Sequence, residues 1–175
     1  IKVQAWSGVA FSGFVGLHLT THLTSLAGQL GYDEVTMFAR ILYQNPFVEL
    51  GLAASLVVHV SSSALTWWQR RQRHQRTPVR TPSPQTLVWH RRAGYALASL
   101  TFLHVFATRL APLLFDAPQS PFVLIAMSFS DESPLGRLAF PVMFFYYFVF
   151  STAAVFHTLV GLSFGLPLIT ESQVM

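Results

Sequence analysis

The sequence contains no cysteine. That excludes disulfides, thiolate metal sites and cysteine-linked haem, and it leaves the redox compartment unmarked. Charge is scarce: 10% of the 175 residues are Asp, Glu, Lys or Arg. A soluble domain carries about 25%, so this chain cannot cover a water-facing surface. No Ser-His-Asp arrangement, nucleophile elbow or phosphate-binding loop occurs, and bond chemistry by the chain itself is not expected. Asp and Glu are missing from the depths of the apolar runs. A tetrahedral zinc site often draws on carboxylates, and transporters usually carry buried mid-span charges or broken helices.

What is present is apolar. Hydrophobic residues make up 52%, with sixteen Phe. A spanning helix needs roughly 20 mainly apolar residues, and four stretches qualify. They run from about Ala5 to Leu30, Pro46 to Trp68, Ala93 to Phe115 and Leu138 to Leu168. The expected fold is all-α: one membrane domain over residues 1–175, a four-transmembrane-helix bundle. A fifth run, Pro121 to Phe129, is too short to span and suits the interface or a fold-back against the bundle. Gly31-Tyr32-Asp33 is expected to end the first helix ahead of a short amphipathic stretch from Val35 to Tyr43. Asn45-Pro46 opens the second span, Ser133-Pro134 precedes the fourth and Gly165-Leu166-Pro167 ends it. The first residue is Ile1, which is compatible with a processed N-terminus.

Basic residues set the expected orientation. Seven of the eleven Lys and Arg lie between Arg70 and Arg92. The opposite loops mix Arg40, Arg109 and Arg137 with Asp33, Glu34, Asp116, Asp131 and Glu132. The positive-inside rule then puts loop 69–92 and both chain ends on the matrix or cytoplasmic side. Between two spans, such a loop reads as a topogenic element touching anionic lipid or an acidic subunit; no nucleic-acid partner is expected.

The two halves resemble each other. Ser7-Gly8 precedes His18 as Ala93-Gly94 precedes His104, with ten positions from Gly to His in both. His59 is followed four positions later by Ser63, and His157 by Gly161. This reads as two duplicated helix pairs, 5–68 and 93–168, with one histidine per helix. Strongly polar groups at mid-membrane are costly, so these histidines are functional candidates. A lone one is more often a packed, hydrogen-bonded residue; four at repeated positions favour ligation. His74 lies in the basic loop and reads as solvated.

A b-type haem suits them better than zinc, because it needs two imidazoles from facing helices and an apolar slot with small residues. Ser63 and Gly161 lie one turn from His59 and His157, and Gly8, Gly13 and Gly16 thin the first helix. Ligands to one iron must share a depth. His59 and His157 are displaced toward the basic side by ~3–5 Å at ~1.5 Å per residue, so they pair, and His18 pairs with His104. That small gap favours one haem over two, with His22 as a spare ligand.

His90-Arg91-Arg92-Ala93-Gly94 resembles the start of the first helix in the succinate dehydrogenase and fumarate reductase cytochrome b membrane anchors. His157-Thr158-Leu159-Val160-Gly161 is similar to their His-x-x-x-Gly haem-ligand motif, and the first half looks like a degenerate copy. The resemblance implies an electron-transfer anchor that holds flavoprotein and iron–sulfur subunits, binds haem b and passes electrons to quinone. It makes His157 an axial ligand with His59 as partner, and His18 and His104 the second pair of a two-haem member. It puts His90 and Arg91 near a propionate or the quinone, and Ser7 and Trp6 on the quinone wall. The chain lacks the Arg-His that usually follows the ligand motif, and single-chain members usually have five spans. A mitochondrial membrane-protein family of lipid homeostasis resembles the spans about as well. The alternative reading is therefore a structural or lipid-related membrane protein, with or without haem. The expected location is the mitochondrial inner membrane, with a bacterial plasma membrane as the alternative.

Overall fold

A computed structural model describes residues 2–76, 85–114, 126–133 and 135–170, and almost all of them are helical. Helix α1 spans Lys2–Leu23. A 3₁₀ turn, Thr24–Ala27, leads into α2, Gly28–Tyr43. Helix α3 is Pro46–Arg76. Helix α4 runs Gln85–Leu114, with a π-helical stretch at Phe106–Leu110. After a 3₁₀ turn at Gly136–Leu138, α5 covers Ala139–Thr170.

Among the described residues, three helical stretches are long and apolar enough to cross a membrane: Pro46–Gln69, Gln85–Leu114 and Gly136–Thr170. The sequence-based count was four. Helix α1, at 22 residues, is long enough, but Lys2, Gln4, two His and several hydroxyl side chains make it too polar to join the three; it also stops at Leu23 instead of Leu30. The chain turns at Gly28, at φ +88°, not at Gly31. That left-handed conformation suits glycine, which has no Cβ to clash.

Two further boundaries move. Gly165-Leu166-Pro167 does not end the last helix, which continues to Thr170 with Pro167 inside it. Proline is tolerated in membrane helices where neighbouring groups satisfy the freed backbone. Most of the Arg-rich segment 69–92 is also helical, since α3 reaches Arg76 and α4 begins at Gln85. Residues 77–84, with Arg80, lie outside the described residues, as do Asp116 and residues 121–125 of the fifth apolar run. The rest of that run forms one helical turn at 126–129.

The outside of the molecule is apolar and the inside is hollow. Large side chains stand exposed along the spans, among them Phe140, Phe144 and Phe148 of α5. These three stack in turn at 6.1 and 6.3 Å, one helical turn apart. A helix apolar all round needs a non-aqueous surrounding. Helix α1 packs on α3 and α5, and α4 packs on α5. Helices α3 and α4 both line a cavity of about 2750 Å³.

At the end remote from the basic segment a bidentate ion pair joins them, with Arg109 Nε 2.6 Å and Nη2 2.9 Å from the two Glu49 oxygens. Arg109 thus sits in a helix, not in a loop. Both partners are about one-third exposed, so the pair contributes about 0.5–1 kcal/mol. Glu49→Gln and Arg109→Gln should each lower the thermal midpoint slightly in detergent. The double variant should lose little more than either one, as a double-mutant cycle would read out.

Candidate functional site: two histidine clusters in one cavity

The first cluster forms where the middle of α3 and α5 meets the first turns of α1 and α4. His59 on α3 and His157 on α5 face each other with ring centroids 6.1 Å apart and planes at 88°. His59 Nδ1 lies 3.2 Å from the Gln4 carbonyl oxygen, and His157 Nδ1 lies 3.0 Å from that of His90. A carbonyl only accepts, so each ring donates from Nδ1 and keeps its Nε2 lone pair. No described residue hydrogen-bonds either Nε2.

Glycine permits this approach. A Cβ on Gly8 would stand 3.0 Å from His59 Cε1, and one on Gly94 would stand 2.9 Å from His157 Cε1. Both acceptor carbonyls lie four positions before the glycine, at Gln4 and His90. The same residues meet Ser63 and Gly161. Gln4 Nε2 donates to Ser63 Oγ at 2.8 Å, and a Cβ on Gly161 would stand 3.3 Å from His90 Cε1. His90 also stacks flat on His157, at 4.0 Å and 5°. Burial leaves its Nδ1 without a partner among the described residues.

The second cluster lies ten positions further along α1 and α4, about 15 Å away at ~1.5 Å per residue. His18 and His104 stand 5.8 Å apart. The expected depth gap was ~3–5 Å. The difference arises because α1 ends early, so Gln4 and Gly8, not the middle of α1, share the depth of His59. His18 Nε2 is already engaged, 3.3 Å from His22 Nε2, and His22 Nδ1 lies 2.9 Å from Tyr32 Oη. Phe14 stacks on His18 at 5.4 Å. Helix α2 closes this end by presenting Tyr32, Thr36, Arg40 and Tyr43 to the cavity. Burial raises the Tyr32 and Tyr43 phenols above their ordinary value, with Arg40 pulling the other way, so both remain protonated donors.

Comparison with protein-family models, curated proteins and solved structures finds no match.

The structure therefore brings together His59, His157 and His90, and separately His18, His22 and His104. Arg91 lines the cavity at the basic end, with Arg71 and Trp67; Arg71 lies 5.4 Å over the Trp67 ring. Ser7 and Trp6 do not line the cavity. Ser7 Oγ donates to the Gln4 carbonyl and its own carbonyl accepts from Ser55, while Trp6 is 55% exposed. Gln4, Tyr32, Arg71 and Glu49 line the cavity as well, and the sequence does not single them out as site residues. Only the equal spacing of Gln4 and His90 from Gly8 and Gly94 would have pointed to one of them.

The donor set discriminates between ligands. Among the described residues no group of three or more His, Asp or Glu is placed to hold a bare metal ion. Two imidazoles on a planar iron cofactor have different requirements. Metal–nitrogen bonds of roughly 2 Å, with about another ångström from each nitrogen to its ring centre, put the two centroids roughly 6 Å apart. His59 and His157 meet that spacing, and their Nδ1–H donors are anchored as ligating histidines require.

Proposed function

We propose that this chain is a haem b-binding membrane anchor of a succinate dehydrogenase-like respiratory complex that passes electrons to quinone. The observation that carries the proposal is the His59–His157 pair, with both Nδ1 atoms on backbone carbonyls, neither Nε2 hydrogen-bonded by a described residue and a spacing suited to one iron between them. On this reading the haem supplies reversible one-electron chemistry and no bond-making falls to the chain. Gln4 and His90 orient the ligands through their carbonyls, and Gly8 and Gly94 leave room for the rings. His90 supports His157 by stacking, and Arg91 and Arg71 provide cations for propionates or a quinone at the basic end. One haem is favoured, since a second on His18 and His104 would first have to displace His22 from His18 Nε2.

The matched contacts of Gln4, Gly8, His59 and Ser63 with those of His90, Gly94, His157 and Gly161 support an origin by duplication of a helix pair. They also support α1 as a fourth span, with both chain ends on the basic side of a mitochondrial inner membrane or bacterial plasma membrane. Because the chain has no cysteine, Lys2→Cys, Glu34→Cys and Gln72→Cys can each be labelled alone with an impermeant maleimide. Lys2→Cys and Gln72→Cys should react from one side and Glu34→Cys from the other. Reaction of all three from one side would mean that α1 does not cross.

The partner assignment is tested by affinity purification of the tagged chain from its native membrane. Flavin, iron–sulfur centres and succinate:quinone reductase activity should co-purify; purification without them contradicts the respiratory role. The size of the cavity favours a second reading, lipid handling. About 2750 Å³ exceeds the ~300–1,000 Å³ of ordinary ligand pockets and leaves room for acyl chains.

A further inference from the structure

At the end of the cavity away from the basic segment, Arg40 is half-buried. It acts electrostatically on His18, His22, Tyr32 and Tyr43. It forms no ion pair with any described carboxylate, even though Glu132 lines the same cavity. A guanidinium held partly out of water among imidazoles and protonated phenols calls for an anion. The surroundings restrict what kind. Helix α2 turns Tyr32, Thr36 and Ala39 inward, all buried, and Phe38 and Ile41 outward, 77% and 78% exposed. It is amphipathic, as expected of a helix lying at a membrane interface over the cavity mouth. The cavity that Arg40 lines also has apolar wall residues, among them Phe14, Leu52 and Leu56.

We propose that this mouth binds an acidic amphipath, with its carboxylate or phosphate head on Arg40, Tyr43 and His22 and its acyl tail in the interhelical cavity. The site does not depend on haem at the opposite end. Charge-assisted contacts are the strong ones here, and losing one costs about tenfold or more in affinity.

The test is binding to the delipidated full chain in detergent, followed by native mass spectrometry. The probes are oleate, oleyl alcohol (the same tail without the charge) and dioleoyl phosphatidic acid. Saturable one-to-one binding of oleate, about tenfold weaker in Arg40→Gln and restored in Arg40→Lys, with oleyl alcohol bound poorly, supports a carboxylate head. The same pattern for phosphatidic acid alone supports a phospholipid head. Equal binding of oleate and oleyl alcohol, or binding unchanged in Arg40→Gln, overturns the proposal. If Arg40→Gln does not fold, Tyr43→Phe decides the matter: a several-fold loss of the acidic probe supports the site, and no loss overturns it.

Discussion

His157→Ala and His59→Ala should each abolish haem b binding, whereas His22→Ala should leave it intact. The rings of His157 and His59 lie 6.1 Å apart, and each has its Nδ1 proton fixed on a backbone carbonyl. Loss of an outer-shell partner to a metal ligand typically costs 10–100-fold in affinity; loss of the ligand itself should exceed about 100-fold. His22 belongs to the other cluster, about 15 Å away by helix rise, and touches His18 and Tyr32. Haem per chain, measured on protein purified with haem present, reads the difference. Retention of full haem content in both His157→Ala and His59→Ala would remove this pair as ligands.

Gly94→Ala should do nearly as much damage with a single methyl group. Its Cβ would stand 2.9 Å from His157 Cε1 and 3.3 Å from Nδ1. The ring cannot retreat freely, because His90 stacks on it at 4.0 Å and holds its Nδ1. Overpacking of this kind costs about 1–3 kcal/mol, which would appear as a lower melting temperature together with roughly 10–100-fold weaker haem binding. Gly8→Ala, facing His59 Cε1 at 3.0 Å, should act in the same direction. Gly13→Ala is the control: a Cβ there meets nothing within 4 Å, and helix propensity alone should make it neutral or slightly stabilising. If Gly94→Ala and Gly13→Ala behaved alike, the glycine would have no part in seating the ring.

These glycines show what the sequence disclosed and what it withheld. The repeated spacing of Gly8 to His18 and of Gly94 to His104 was legible, because helical periodicity fixes which positions share a face. The glycines do lie against histidines, but not the histidines that the spacing suggests. In sequence Gly8 thins the helix above His18; in three dimensions it makes room for His59 on a neighbouring helix. The pairings His59–His157 and His18–His104 followed from relative depth. The distance between the pairs did not, because it depended on where α1 stops, and the turn at Gly28 carries no stronger signal than the Gly31 that was expected to make it. The Glu49–Arg109 pair joins residues sixty positions apart, and no local pattern announces such a contact. Helix α2 was legible as an amphipathic stretch, yet its function as a cap over the second cluster depends on a tertiary fold-back onto α1. Trp6 and Ser7, expected on a quinone wall, do not line the cavity, because a one-dimensional match fixes depth and not the direction a side chain takes around the helix.

The account rests on bis-histidine haem between α3 and α5. The most direct test is a reduced-minus-oxidised visible spectrum with a pyridine haemochrome assay on the purified full chain, beside His157→Ala. A sharp b-type α-band, close to one haem per chain and absent from the variant, is the expected result. A wild-type chain that takes up no haem, even when expressed and purified with haem in excess, would contradict it and leave the two histidines as packing residues.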